Sequence, residues 1–132
     1  MRKLAASLGV PPALLIAPPS GPGICFDVIV SENGEAIATQ SAWAPFGHEA
    51  VLEIPGRVRV VAAAAAPNRG IHGDISKVQA RMYYLSGNSW VLDWDASMDA
   101  YIEHTPSFQR TMADQKHRVV INPRKAERPS SC

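Results

Sequence analysis

The stretch KVQARMYYL, residues 77–85, decides the fold class of this chain. Its apolar and polar side chains alternate with a period of two along the whole stretch. Successive side chains of a β-strand point to opposite faces of a sheet, so this pattern predicts a strand with one buried face. The side chains assigned to the buried face are Val78, Ala80, Met82 and Tyr84.

The residues that follow predict a hairpin. SGNS at residues 86–89 is rich in turn-forming residue types, and a second alternating run begins at Trp90. If this run pairs with residues 77–85 in a regular register, Trp90 and Trp94 share the buried face with Met82. Asp93 then faces solvent.

Upstream, shorter alternating runs are separated by turn residues. Asn33 and Gly34 tolerate the positive φ angles of a tight hairpin turn. Residues 67–76 are expected to form a polar surface loop, and residues 97–112 either one short helix or an irregular strand. The sequence therefore predicts a mainly β fold, an antiparallel β sandwich or partly open barrel of about six to eight strands with at most one short helix near 97–112.

Composition limits the function classes. The chain has 132 residues, 46% hydrophobic and 19% charged, with a net charge of +1. These values are typical of one globular domain and argue against nucleic acid as a partner, because no basic block could follow a phosphate backbone. No stretch reaches the roughly 18 to 20 apolar residues of a spanning helix, so we expect peripheral membrane contact or none.

The chain divides into three segments. Residues 1–23 have the layout of an export signal, with Arg2 and Lys3 before an apolar run; the alternative is a disordered leader in a cytoplasmic protein. Residues 24–123 are expected to form a single β domain and residues 124–132 a flexible polar tail. A periplasmic or secreted location follows from the first interpretation.

The two cysteines, Cys25 and Cys132, allow two interpretations. In an oxidising compartment they could form a disulfide that joins the ends of the domain. Alternatively, Cys25 is a small buried apolar residue and Cys132 is a mobile thiol; this second interpretation is the one we expect.

Candidate site residues are few. No nucleophile elbow or phosphate-binding glycine loop is present, which disfavours a hydrolase or a nucleotide-binding protein. His72 and Asp74 would point the same way on an extended segment and could supply two metal ligands, but a further His would be needed. Arg81, Tyr83 and Asp93 are expected to share the outer face of the hairpin, and this composition is typical of a protein-contact patch.

One family resemblance is carried by the order of features in residues 26–84. An Asn-Gly hairpin is followed by FGHEAVL at residues 46–52, a Val-rich strand, a Gly-rich loop and the long alternating strand. This segment resembles the β-rich region of the secretin family. The resemblance implies a small periplasmic protein without catalysis, and it identifies no functional residue.

The sequence thus predicts a non-enzymatic cell-envelope β domain that acts as a binding or accessory module for another envelope protein, with no cofactor. Two alternatives stay open. One is a metal-dependent enzyme using His72, Asp74 and a further His, and the other is a small-ligand carrier with an aromatic-lined cavity.

Overall fold

The computed structural model describes residues 22–132, which form two antiparallel β-sheets. The export segment expected at residues 1–23 lies outside the described residues except for Pro22 and Gly23. The strands are β1 (Gly23–Glu32), β2 (Glu35–Pro45), β3 (Glu49–Ile54), β4 (Val58–Ala64), β5 (Asn68–Gly70), β6 (Gly73–Ser86), β7 (Ser89–Tyr101), β8 (Phe108–Thr111) and β9 (His117–Ala126). Two short 3₁₀ helices span Ile102–His104 and Pro129–Ser131.

The two sheets pack as a sandwich and are not closed into a barrel. The first sheet has four strands in the order β2-β1-β9-β8. In the second, β3, β4, β6 and β7 follow one another, and β5 pairs with the start of β6. The prediction of a mainly β, antiparallel fold is confirmed.

The core lies between the sheets and is built by the period-two alternation of both. The fully buried large side chains include Ile24, Phe26, Val30, Val58, Val60, Val78, Met82, Met112, Val119 and Ile121. The buried set in β6 contains Val78, Ala80 and Met82, as the sequence predicted, while Tyr84 is partly buried against the same core. Because both sheets contribute, neither is stable as an isolated layer.

The Asn33–Gly34 turn agrees with the prediction, whereas residues 67–76 do not. Asn33 and Gly34 have φ angles of 53° and 84° and connect β1 to β2, as expected. The loop predicted for residues 67–76 is wrong, since β5 and the start of β6 form a small hairpin there. Gly73 makes this turn possible with a φ of 122°, a backbone conformation that residues other than glycine rarely adopt.

A β-bulge in β7 changes the face of the sheet on which some side chains of this strand lie. Met82 pairs with Trp94, but Tyr83 pairs with Leu92, so Asp93 is the additional residue. Trp94 therefore packs against the core, while Trp90 and Leu92 lie on the outer face with Tyr83. The prediction that both tryptophans share the buried face is wrong, because the bulge shifts the alternation by one residue.

The C-terminal segment is joined to the first strand. Cys25 and Cys132 form a disulfide across a sequence separation of 107, which corrects the expectation of a free C-terminal thiol. Trp43 Nε1 donates a hydrogen bond to the carbonyl oxygen of Ala126 at 2.9 Å. Residues 124–126, which the sequence assigned to a flexible polar tail, are therefore part of β9. None of the helices in residues 22–132 has the length and apolar character needed to cross a bilayer.

Candidate protein-contact surface

The outer face of the five-stranded sheet carries a strip of apolar side chains, which we call the contact face. Cross-strand pairing aligns Val51 with Val61 and Arg81, and Arg59 with Tyr83 and Leu92. Val51 is 58% exposed and Leu92 is 50% exposed. The members of the contact face are Val51, Arg59, Arg81, Tyr83, Trp90 and Leu92, with the acidic residues that pair with its arginines. Val61 lies on the same face but is only 9% exposed.

Ion pairs fix the arginines of the contact face. Arg81 Nη2 lies 2.5 Å from Glu49 Oε2, and Arg59 Nη2 lies 2.8 Å from Glu53 Oε1. Both acids are on the edge strand β3, while the arginines are on β6 and β4. Each arginine is about one-third exposed, so these pairs orient side chains more than they stabilise the fold.

A cation–π contact extends the strip to the N-terminal end of β7. The guanidinium carbon of Arg59 lies 4.6 Å from the ring centroid of Trp90. Arg59 is thus held from two sides, by Glu53 and by the Trp90 ring. A guanidinium stacked on an aromatic ring is a common element of protein interfaces.

The structure brings together two of the three predicted contact residues. Arg81 and Tyr83 lie on the contact face, but Asp93 does not share this surface. The Asp93 side chain is only 2% exposed and accepts a hydrogen bond from Arg110 Nε at 2.8 Å. Sequence reasoning missed Val51 and Leu92; the alternation of β3 could have indicated Val51, whereas Leu92 depends on the bulge.

The predicted metal-ligand pair occupies the β5–β6 hairpin. The ring of His72 contacts Tyr101, with centroids 5.9 Å apart, and His104 Nε2 lies 2.8 Å from the carbonyl oxygen of His72. Asp74 is in β6, opposite Arg69. Within residues 22–132 there is no group of three His, Cys, Asp or Glu side chains that could hold a metal ion.

A second polar feature is a cleft of about 390 Å³ at the end of the sandwich where β1 ends and β9 begins. The buried imidazole of His117 lies between two carboxylates there, 2.5 Å from Asp114 Oδ2 and 3.1 Å from Glu32 Oε1. Arg57 also pairs with Glu32. The rest of the lining is formed by Gly56, Tyr84, Leu85, Ser86 and Lys116.

The two carboxylates of this cleft are held in their ionised form. The hydrogen bond from Arg57 lowers the pKa of Glu32, against the effect of desolvation and with a further contribution from His117. Partial burial would raise the pKa of Asp114, but hydrogen bonds from the His117 ring and from the backbone of Lys116 and His117 outweigh it and lower that pKa.

Comparisons with known proteins found no family model that matches this chain, and no significantly similar curated protein or solved structure.

Proposed function

We propose that this protein is a non-enzymatic, exported binding module whose contact face holds another cell-envelope protein. The observation that carries the proposal is the exposure of Val51 and Leu92, which lie on the two outer strands of the same sheet face. Apolar side chains grouped on an exposed face, with aromatic and arginine neighbours, have the composition of the centre of a protein interface.

The ion pairs of the contact face support docking. Arg59 and Arg81 already have carboxylate partners on β3, so covering the face does not strand an unpaired charge. The side chains are also held in place before binding, which reduces the entropy lost on association. A partner therefore gains from the apolar strip without a large electrostatic penalty.

The charge layout favours a partner other than a second copy of the chain. Acidic side chains lie on the two outer strands of the face, β3 and β7, and cations lie on the central strands β4 and β6. Aligned packing keeps strand directions within about 30° of each other. A twofold-related copy packed in this way would set outer strand against outer strand and bring like charges together.

The disulfide supports the export part of the proposal. Disulfides persist in oxidising compartments such as the periplasm or the outside of the cell, and are rare in the cytosol. Cys25 is fully buried and its bond to Cys132 closes most of the described chain. The disulfide is therefore consistent with the proposed periplasmic or secreted location. The resemblance of residues 26–84 to the secretin family stays a prediction, and it implies the same location.

Site-specific photo-crosslinking in the host cell tests the proposed face. A photoreactive phenylalanine analogue replaces Val51 in one strain and Thr39, exposed on β2 of the other sheet, in a control strain. We expect one discrete crosslinked product from position 51 and none of that mass from position 39. The second change Leu92→Lys should remove the product.

Two outcomes would contradict the proposal. The same products from positions 51 and 39 would mean that the contact face is not a specific surface. A product with the mass of two copies of this chain would show self-association in place of binding to another envelope protein.

A further inference from the structure

His117 occupies the terminal pair of the β1–β9 ladder, where it is opposite Glu32. Its side chain is only 7% exposed, and both ring nitrogens lie within hydrogen-bond distance of a carboxylate. Nδ1 faces Asp114 in the turn before β9, and Nε2 faces Glu32 at the end of β1. This arrangement is outside the contact face.

The protonation state of the imidazole determines how many of these bonds exist. A carboxylate accepts hydrogen bonds and does not donate them, and a neutral imidazole has one N–H. Only the imidazolium donates to Asp114 and Glu32 at the same time. After loss of one proton, one nitrogen presents a lone pair to a carboxylate.

The surroundings indicate which bond is lost. Asp114 is the closer acceptor, at 2.5 Å, and its other oxygen accepts from the backbone N–H groups of Lys116 and His117. Glu32 Oε1 also receives a hydrogen bond from Arg57, so it keeps a partner without the imidazole. Neutral His117 is therefore expected to keep its proton on Nδ1 and to release Glu32.

The charged and titratable groups that face His117 come from each neighbouring element. They are Glu32 of β1, Arg57 of the β3–β4 turn, Tyr84 of β6, and Asp114 and Lys116 of the β8–β9 turn. Among the described residues, the two carboxylates are the ones in contact with the ring. Arg57 reaches across from the second sheet and joins Glu32 to it.

We propose that His117 is a proton-operated clasp that holds the end of β1 to β9 and thereby fixes the wall of the 390 Å³ cleft between the sheets. When the imidazole is protonated and both carboxylates are ionised, the ring binds both of them and the clasp is closed. Loss of one ring proton removes the bond to Glu32, and this end of the ladder then opens more often.

Hydrogen exchange of one backbone amide reports the clasp directly. The N–H of Asn33 donates to the carbonyl of Lys116 at 2.8 Å, next to the Glu32–His117 pair. We expect its protection factor, corrected for intrinsic exchange, to fall about tenfold between pH 5 and 8, the size expected for one hydrogen bond to a charged group. The N–H of Gly47, bonded to Ala64 at the opposite end of the sandwich, is the internal control and should not change.

Matched variants separate the clasp from general effects of pH. In His117→Gln the Asn33 protection should become independent of pH over this range. His48→Gln, at an exposed position of the β2–β3 turn, should behave as the wild type. If the protection factor of the Asn33 amide falls with pH in His117→Gln as it does in the wild type, the proposal is overturned.

A second measurement needs no variant and decides the matter if His117→Gln does not fold. Nitrogen-15 shifts of the wild-type imidazole should show two protonated nitrogens at low pH and the Nδ1–H tautomer at high pH. An Nε2–H tautomer, or a ring whose state does not change between pH 5 and 8, would contradict the clasp.

Discussion

The carboxylate of Asp93 lies 2.8 Å from Nε of Arg110, and this ion pair joins β7 of one sheet to β8 of the other. Asp93 also accepts a hydrogen bond from the backbone N–H of Ala113 at 2.9 Å. The bulge that directs Asp93 inward leaves Leu92 on the contact face. The bulge in β7 therefore creates the ion pair between the two sheets and also determines that Leu92 belongs to the contact face.

Asp93→Ala is expected to destabilise the protein by about 2 to 3 kcal/mol. The change removes a nearly buried carboxylate and leaves Arg110 and the N–H of Ala113 without it. The estimate is below the range for a fully buried pair because Arg110 is partly exposed. Urea unfolding measures the loss. Asp95→Ala, at an exposed position of the same strand, is the control and should cost less than about 0.5 kcal/mol; equal losses would contradict the role of the bulge.

The two tryptophans of β7 should differ in their effect on stability. Trp94 packs against the core beside Met82, so Trp94→Ala should cost about 2 to 4 kcal/mol. Trp90 lies on the contact face beneath Arg59, and Trp90→Ala should cost about 1 kcal/mol. Thermal melts of both variants check the order. A lower melting temperature for Trp90→Ala would mean that the faces are assigned in reverse.

Loss of the disulfide should lower stability by about 5 kcal/mol in the chain-entropy model, because the bond closes a loop of more than a hundred residues. Cys132→Ser is the variant of choice, since it leaves the fully buried Cys25 in place. In urea unfolding, the midpoint of this variant should equal the midpoint of the wild-type protein measured in the presence of a reductant. If the reductant does not change the wild-type midpoint, the prediction is wrong.

Acid should destabilise the protein through Glu32 and Asp114. Both pKa values are lower in the folded protein than their ordinary values of 4.5 and 3.8. The stabilisation is therefore complete above the ordinary values and is lost as the pH falls through the lowered ones. Free energies of unfolding between pH 5 and 2.5 measure the slope, which Asp114→Asn should reduce. An unchanged slope in that variant would remove Asp114 from the explanation.

The sequence by itself determined the features that depend on neighbouring residues. The alternation in residues 77–85 identified β6 and its buried face, and Asn33 with Gly34 identified the first hairpin, because side-chain period and turn chemistry are local. Arg81 and Tyr83 were assigned to the outer face for the same reason. The part of the site that follows strict alternation was therefore predictable.

The tertiary structure decided what depends on partners distant in the chain. The inward position of Asp93 requires Arg110, 17 residues away, and a register shift that alternation does not reveal. The Cys25–Cys132 bond joins residues 107 apart, and the His117–Glu32 contact joins residues 85 apart. Such pairings form only when both sheets are assembled, because their geometry is set by packing and not by the residues on either side.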